Sequence, residues 1–505
     1  MSSVAGVVKF PTHIDGFDHI SMGGLPSGRT TLVCGTSGSA KTVFGTQFLG
    51  AGIAKSGANG VFVTFEEPPE AMRRNMASLG WDIAAWEKQN QWAFVDASPR
   101  PGEKLAVIGN YDLSGLMLQI RAAIERTGAT RVCLDSVGAL FGHFSDAAVI
   151  RRELFHIISQ LNEPGLITVM TTERVEEYGA ISRHGVEEFV ADNVVVLRNV
   201  LEEEKRRRTI EILKFRGTMH LKGEFPFTIR PDIGIVIIPL AAITLTQKSS
   251  TTRIASGNDT LDTMCGGGFF RDSVILISGA TGTGKTLLST EFIAGGAKSG
   301  DRSLLFAFEE SREQLLRNAT GWGVDFDAAE RAGRLKIVCA YPETQSLEDH
   351  LLAIKYQVEE YQPQRVALDS LSALERVSSL KGFREFVIGL TSFIKQREIA
   401  GLFTATTPSL FGGTSVTEQH ISTITDLIVL LRYVEILGEM RRGITVLKMR
   451  GSLHDKKIRE FMIDDRGMHV GKAFRNVSGI LMGHPLHGRS ETEEMGKLFE
   501  TPNNG

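Results

Sequence analysis

Cysteine is scarce. The 505 residues hold four, Cys34, Cys133, Cys265 and Cys339, scattered singly and without a CxxC pair. That spacing excludes a disulfide framework and a zinc knuckle. Three of the four lie in apolar, strand-like runs, which reads as buried free thiols in a reducing compartment. Net charge is scarce too: 56 Lys and Arg against 59 Asp and Glu leave −3 at pH 7. Such a balance supplies no global pull toward nucleic acid or an anionic membrane. A membrane-spanning run is lacking, since about 20 apolar residues are needed and the longest run, near Ile233 to Leu245, is broken by Pro239. The opening MSSVAGVVKFPTHIDGF has neither the basic start nor the apolar core of a secretion signal. A cytoplasmic protein is expected. The rest is ordinary for a globular chain, 42% apolar and 23% charged, which excludes disordered, collagen-like and coiled-coil chains.

Length alone suggests about three domains, but internal repetition changes that. GGLPSGRTTLVCGTSGSAKT (23–42) resembles GGGFFRDSVILISGATGTGKT (266–286). VTFEEPPEAMRRN (63–75) resembles FAFEESREQLLRN (306–318), and RVCLDSVGAL (131–140) resembles RVALDSLSAL (365–374). KFRGTMHLKGEFPFTI (214–229) resembles KMRGSLHDKKIREFMI (448–463). Four motifs recur in the same order at offsets of 234 to 244 residues, so the chain reads as two copies of one domain. The expected boundaries are 1–242, a Thr/Ser/Gln-rich linker at 243–258, 259–474 and a polar tail at 475–505. Within each copy, near-continuous apolar runs such as TTLVCG, GVFVTFEE and RVCLDS alternate with amphipathic stretches. That alternation predicts an α/β fold, a mainly parallel sheet flanked by helices.

GATGTGKT (Gly279, Ala280, Thr281, Gly282, Thr283, Gly284, Lys285, Thr286) is a full G-x-x-x-x-G-K-[ST] phosphate loop, placed after a strand and before a helix. Its amides at a helix N-terminus suit triphosphate oxygens; Lys285 would reach the β/γ-phosphates and Thr286 would hold Mg²⁺. In the first copy, GTSGSAKT (Gly35, Thr36, Ser37, Gly38, Ser39, Ala40, Lys41, Thr42) carries alanine where the pattern has its last glycine. Its Cβ would crowd a phosphate or force an unfavourable backbone angle. The reading is that ATP still binds, with altered affinity or turnover; a degenerate structural site is the alternative.

Asp135 and Asp369 close the runs RVCLD and RVALD, the Walker-B arrangement that supports a Mg²⁺ shell. Glu66-Glu67 and Glu309-Glu310 each end a second strand. One carboxylate of each pair would orient or deprotonate the attacking oxygen, the other supporting metal or water; Glu309 is also a candidate metal group. An acidic first helical turn is the competing reading. Lys214-Phe215-Arg216 and Lys448-Met449-Arg450 put two charges on one strand face. They read either as solvated decoration or as groups reaching a neighbouring subunit's triphosphate.

With these motifs assembled, the chain resembles the KaiC family of clock proteins over nearly its whole length. The resemblance rests on the duplicated phosphate loop, TFEE and AFEE, KFRGTMH and KMRGS, and above all HISTITDLIVLLRYVEILGEMRR (420–442). It implies tandem RecA-like domains, a two-ring homohexamer with ATP between subunits, and a slow ATPase in the first ring that gates a KaiB-like partner. The second ring would be an autokinase and autophosphatase. It further implies Ser422 and Thr423 as phosphoacceptors and Glu309, beside Glu310, as general base, with Glu66 and Glu67 their first-ring equivalents. Lys214, Arg216, His220, Lys448 and Arg450 would contact ATP across the interface. At the 234-residue offset, Ser422 and Thr423 align with Glu188 and Phe189, so only the second copy has acceptor hydroxyls there. The tail after Arg475 diverges from the family segment that recruits KaiA, and dependence on a KaiA-like activator is not implied.

Two other functions share this core. A recombinase- or helicase-type DNA-dependent ATPase would need basic pore loops; the basic cluster EEEKRRR (202–208) is interleaved with acids and reads as a solvated hairpin. A non-catalytic scaffold bridged by ATP would not need glutamate pairs in both copies.

Overall fold

The computed structural model describes residues 7–98, 114–141, 147–182, 185, 187–202, 205–238, 249–407, 421, 423–436, 438–475, 477–478 and 486–487. The chain divides into two compact units, Met1–Ala242 and Ile243–Gly505. In the first, β1 (Thr30–Gly35) leads through the phosphate loop into α1 (Lys41–Ser56). The sheet continues with β2 (Gly60–Thr64), β3 (Trp92–Asp96), β4 (Arg131–Asp135), β5 (Ile167–Glu173), β6 (Asn193–Glu202), β7 (Lys205–Phe215), β8 (Glu224–Arg230) and β9 (Gly234–Ile237). Among the described residues the sheet order is β9-β8-β7-β6-β1-β5-β4-β2-β3. Strands β1 to β6 are parallel, and β7 to β9 extend the sheet as an antiparallel meander.

The second unit repeats this. Its strands are β10 (Val274–Gly279), β11 (Ser303–Ala307), β12 (Leu335–Cys339), β13 (Arg365–Asp369), β14 (Ala400–Thr406), β15 (Leu427–Ile436), β16 (Glu439–Met449), β17 (Arg459–Asp464) and β18 (Gly467–Ala473), with α2 (Lys285–Ser299) after β10. The order, β12-β11-β13-β14-β10-β15-β16-β17-β18, matches the first sheet strand for strand. Both units are therefore the α/β arrangement expected from strand–helix alternation and the RecA-like fold that the family resemblance implies; the antiparallel meander is an addition that alternation does not reveal.

Every residue of β1, β2, β10 and β11 is buried, as parallel strands covered on both faces must be. In β1, Val33 packs with Phe44, Phe48 and Phe62 beneath α1, whereas Leu32 and Cys34 pack on the other face with Leu134 and Leu154. The period-2 alternation of side chains thus builds one core on each side of the sheet. Helix α1 is held close to β4 by a buried arginine. Arg131 donates to the carbonyls of Phe48 at 2.5 Å, Thr12 at 3.2 Å and Pro11 at 2.8 Å. Gly52 permits the contact, because a Cβ there would lie 2.5 Å from the guanidinium.

Cys34, Cys133 and Cys265 are buried and free, but Cys339 is exposed, because it closes β12, an edge strand. Arg253–Ile254, near the end of the stretch expected to link the copies, pair with Phe269–Phe270; residues 243–248 lie outside the described residues. Among the described residues, no helix is long and apolar enough to cross a membrane.

Candidate functional site

Both phosphate loops leave the C-terminal edge of the parallel strands, where open α/β sheets place their ligand crevice. Neither α1 nor α2 has a side-chain cap on its first amides among the described residues. Those donors remain available to an anion. In the second loop Gly282 and Gly284 take left-handed backbone angles, φ 78° and 105°. In the first loop Gly38 and Ala40 do so, φ 75° and 76°. Ala40 therefore keeps the loop's path, at a cost of about 1–2 kcal/mol for a Cβ in this region. A Cβ on Gly284 would meet Ile463 Cδ1 at 3.0 Å and Met468 Cε at 3.1 Å.

The lysines fold over their loops. Lys41 donates to the carbonyls of Gly35 and Thr36, each at 3.0 Å, and Lys285 to that of Ala280 at 2.9 Å. Burial lowers the pKa of both ammonium groups, and nearby carboxylates oppose it. Asp135 and Asp369 end β4 and β13 beside them. Thr42 and Thr171 hydrogen-bond Asp135; Thr286 and Thr404 do the same for Asp369. Burial pushes both carboxyls up, and these hydroxyls and the lysines pull the other way.

The glutamate pairs divide in the same manner in each copy. The first member accepts from the serine after the Walker-B aspartate: Ser136 Oγ to Glu66 at 3.0 Å and Ser370 Oγ to Glu309 at 2.9 Å. The second accepts from an asparagine one helix away: Asn75 to Glu67 and Asn318 to Glu310, both 3.2 Å. Glu66 is raised from the ordinary carboxylate value chiefly by burial, against the Ser136 hydrogen bond. Glu310 is raised by burial and by the charge of Asp369.

A family profile described as "ATPase: KaiC" matches residues 10–242 and again residues 254–474. Circadian clock protein KaiC3 of Synechocystis sp. is 65% identical over 496 residues, covering 98% of each chain. The circadian clock oscillator protein KaiC of Thermosynechococcus vestitus is 57% identical over 484 residues, 96% of this chain and 93% of that one. Its namesake in Synechococcus elongatus is 56% identical over 479 residues, 95% and 92%.

The chain belongs to the KaiC family. It is a KaiC-like, ATP-binding circadian-clock-type ATPase and serine/threonine autokinase with a duplicated P-loop domain.

In this KaiC-family chain the remaining motif residues gather at the opposite sheet edge. Lys214 donates to the carbonyls of Glu188 at 3.0 Å and Ala191 at 2.7 Å, and Arg216 pairs with Asp192 at 3.3 Å. Lys448 donates to the Thr425 carbonyl and Arg450 to that of Thr423, both at 2.7 Å. His220 meets the Phe215 ring edge-on at 5.7 Å, and burial lowers its pKa. Thr423 is exposed, and Ser422 lies outside the described residues. Glu188, the first-copy counterpart of Ser422, is instead bonded by Ser182.

Several site residues were not singled out from the sequence. Ser136, Ser370, Thr171 and Thr404 are brought to the carboxylates by sheet order. Glu173 lies near Lys41, where the aligned residue of the second copy is Thr406. Arg208, read as solvated, donates to the first loop's Gly38 carbonyl at 3.4 Å. Arg376 donates to Glu309 Oε1 at 2.8 Å. Only the repeat offset carries a trace of that last contact, aligning Arg376 with Gly142.

Proposed function

We propose that the chain acts in the cytoplasm as a homohexamer, each domain forming one ring and each nucleotide read by two subunits. The second domain transfers the γ-phosphoryl of ATP to Ser422 or Thr423 of the adjacent subunit. Glu309 takes the hydroxyl proton, and Lys448 and Arg450 steady the charge that develops on the phosphoryl oxygens. The reverse transfer onto ADP dephosphorylates the protein. The first domain hydrolyses ATP, with Glu66 orienting water and Lys214, Arg216 and His220 supplied from the neighbour. A KaiB-like protein is the partner of the first ring, and no nucleic acid takes part.

The observation that carries this reading is the position of the basic pairs. Lys448 lies opposite Ile428, which is level with Leu276, three residues before Gly279. Some 10 Å of strand at about 3.3 Å per residue therefore separates it from the mouth of its own loop. Its ammonium bonds a carbonyl at the far edge. A cation placed there serves the phosphates of another subunit, not its own.

The donor set suits magnesium. A threonine hydroxyl bonded to a buried aspartate presents hard oxygens beside a phosphate site, and Mg²⁺ needs few protein ligands of that kind. Thr42 and Thr286 would hold the ion, with Asp135 and Asp369 behind them and Glu309 on the second-domain side. Bound there, it would neutralise phosphate charge.

Incubation with γ-labelled ATP and site mapping tests the proposal. Label is expected on Ser422 and Thr423 and lost in Ser422→Ala/Thr423→Ala. Undiminished label in that variant, or none on the wild type, sinks it.

A further inference from the structure

The two candidate bases differ in how many of their oxygens are occupied. In the first domain Glu66 accepts one hydrogen bond, from Ser136 to Oε1, leaving Oε2 without a donor among the described residues. In the second, Ser370 holds Glu309 Oε2 at 2.9 Å and the Arg376 guanidinium holds Oε1 at 2.8 Å. Arg376 stands at the C-terminal end of the short helix Leu371–Glu375 that follows the Walker-B strand. The aligned first-copy residue is Gly142, which has no side chain to offer. Arg376 itself is 62% exposed and Glu309 40% exposed. Among the described residues, the side-chain partner of this guanidinium is the Glu309 carboxylate.

A carboxylate acts as a base through a free lone pair. Glu66 keeps Oε2 without a donor among the described residues, fitting a site where water is the attacking group. Glu309 has a neutral donor on one oxygen and a cation on the other. Each of these oxygens keeps a second lone pair, but the guanidinium fixes the direction of the carboxylate and competes with an arriving water for Oε1. The pair is also exposed, and such pairs hold with at most about 1 kcal/mol. It can open when a better-placed reactant competes.

We propose that Arg376 is a positioning residue that latches Glu309. It withholds the base from solvent water and so suppresses idle ATP hydrolysis in the second domain, leaving transfer to a seated hydroxyl as the favoured outcome. The first domain has glycine at the aligned position, and among its described residues no cation holds Glu66 in this way. This inference rests on the reading of Glu309 as base, and the test separates the two.

Second-domain hydrolysis is measured in the assembled full-length protein with the first domain silenced by Glu66→Gln/Glu67→Gln. In that background Arg376→Gln is expected to raise ATP turnover about two- to fivefold, on the scale of an exposed ion pair, with ATP affinity unchanged. Arg376→Lys, which keeps a cation within reach of Oε1, should restore most of the suppression. The gain should vanish when Glu309→Gln is added, an epistasis that a general structural effect of Arg376 would not produce. Unchanged or lowered turnover in Arg376→Gln overturns the latch, as does a rise that persists without Glu309. Unimpaired turnover and phosphoryl transfer in Glu309→Gln alone would overturn the assignment of the base instead.

Discussion

The two domains carry the same nine strands in the same order, the same lysine over the same loop, and the same hydroxyl-braced aspartate. They part at four places. Ala40 faces Gly284 in the repeat, Glu173 faces Thr406, Gly142 faces Arg376, and Glu188-Phe189 faces Ser422-Thr423. None of these changes moves a strand. On the proposed roles, the scaffold sets where a triphosphate would sit, and a few side chains around the attacking group would decide what receives the phosphoryl. A domain whose base keeps an oxygen without a donor among the described residues and that lacks acceptor hydroxyls at the aligned positions would serve water. One with a tied base and two adjacent hydroxyls would serve its own chain.

The largest test of this contrast is to remove the basic residue of one domain only. Lys448→Ala is expected to cut phosphoryl incorporation at Ser422 and Thr423 by about 10³-fold or more, with first-domain hydrolysis intact; Lys214→Ala should do the converse. Site-resolved phosphorylation and steady-state phosphate release separate the two. Equal damage to both activities by either variant would break the comparison.

Next come the bases. Glu309→Gln should lower transfer about 10²- to 10⁴-fold and Glu66→Gln should lower hydrolysis by a similar factor, each in its own domain. A smaller effect concerns acidity. Burial holds the Glu66 carboxyl above its ordinary value of 4.5, and Ser136 pulls it down. A base must be ionised, so first-domain hydrolysis should fall as pH drops through that raised value. Ser136→Ala should move the acid limb to still higher pH in a pH–rate profile.

The smallest effect is on stability. Ala40→Gly relieves a left-handed alanine and should stabilise the first domain by up to about 1 kcal/mol, the unfolded-state freedom of glycine offsetting part of the gain. Gly284→Ala should destabilise the second domain by about 1–3 kcal/mol, since strain and the contacts with Ile463 and Met468 add. Calorimetry of the full chain reads both. Destabilisation by Ala40→Gly would mean that its Cβ packing outweighs the backbone term.

Much of this was legible in the sequence because it is local. A phosphate loop, a strand-final aspartate and a glutamate pair are contiguous patterns, and duplication let each copy vouch for the other. The hydroxyls that brace the carboxylates were not legible. Thr171 and Thr404 lie some 35 residues from their aspartates and meet them only because β5 and β14 insert between strands that are not neighbours in the chain. Arg376 was hidden for another reason: an exposed arginine after a short helix looks like surface until its partner is known. Cys339 looked buried because apolar runs do not distinguish an edge strand from a central one.

The basic pair and the loop of each domain occupy opposite rims of one sheet. If each nucleotide is read by two subunits, as proposed, no folded copy by itself would hold a whole reaction. The complete chemical unit would be the seam between two molecules, and a ring of identical subunits would repeat that seam head to tail. In that ring a chain defective only in its cations or only in its loop would spoil one seam, and one defective in both would spoil two. Mixed populations containing doubly defective chains would lose activity faster than the fraction of faulty chains, a dominance that follows from strand direction.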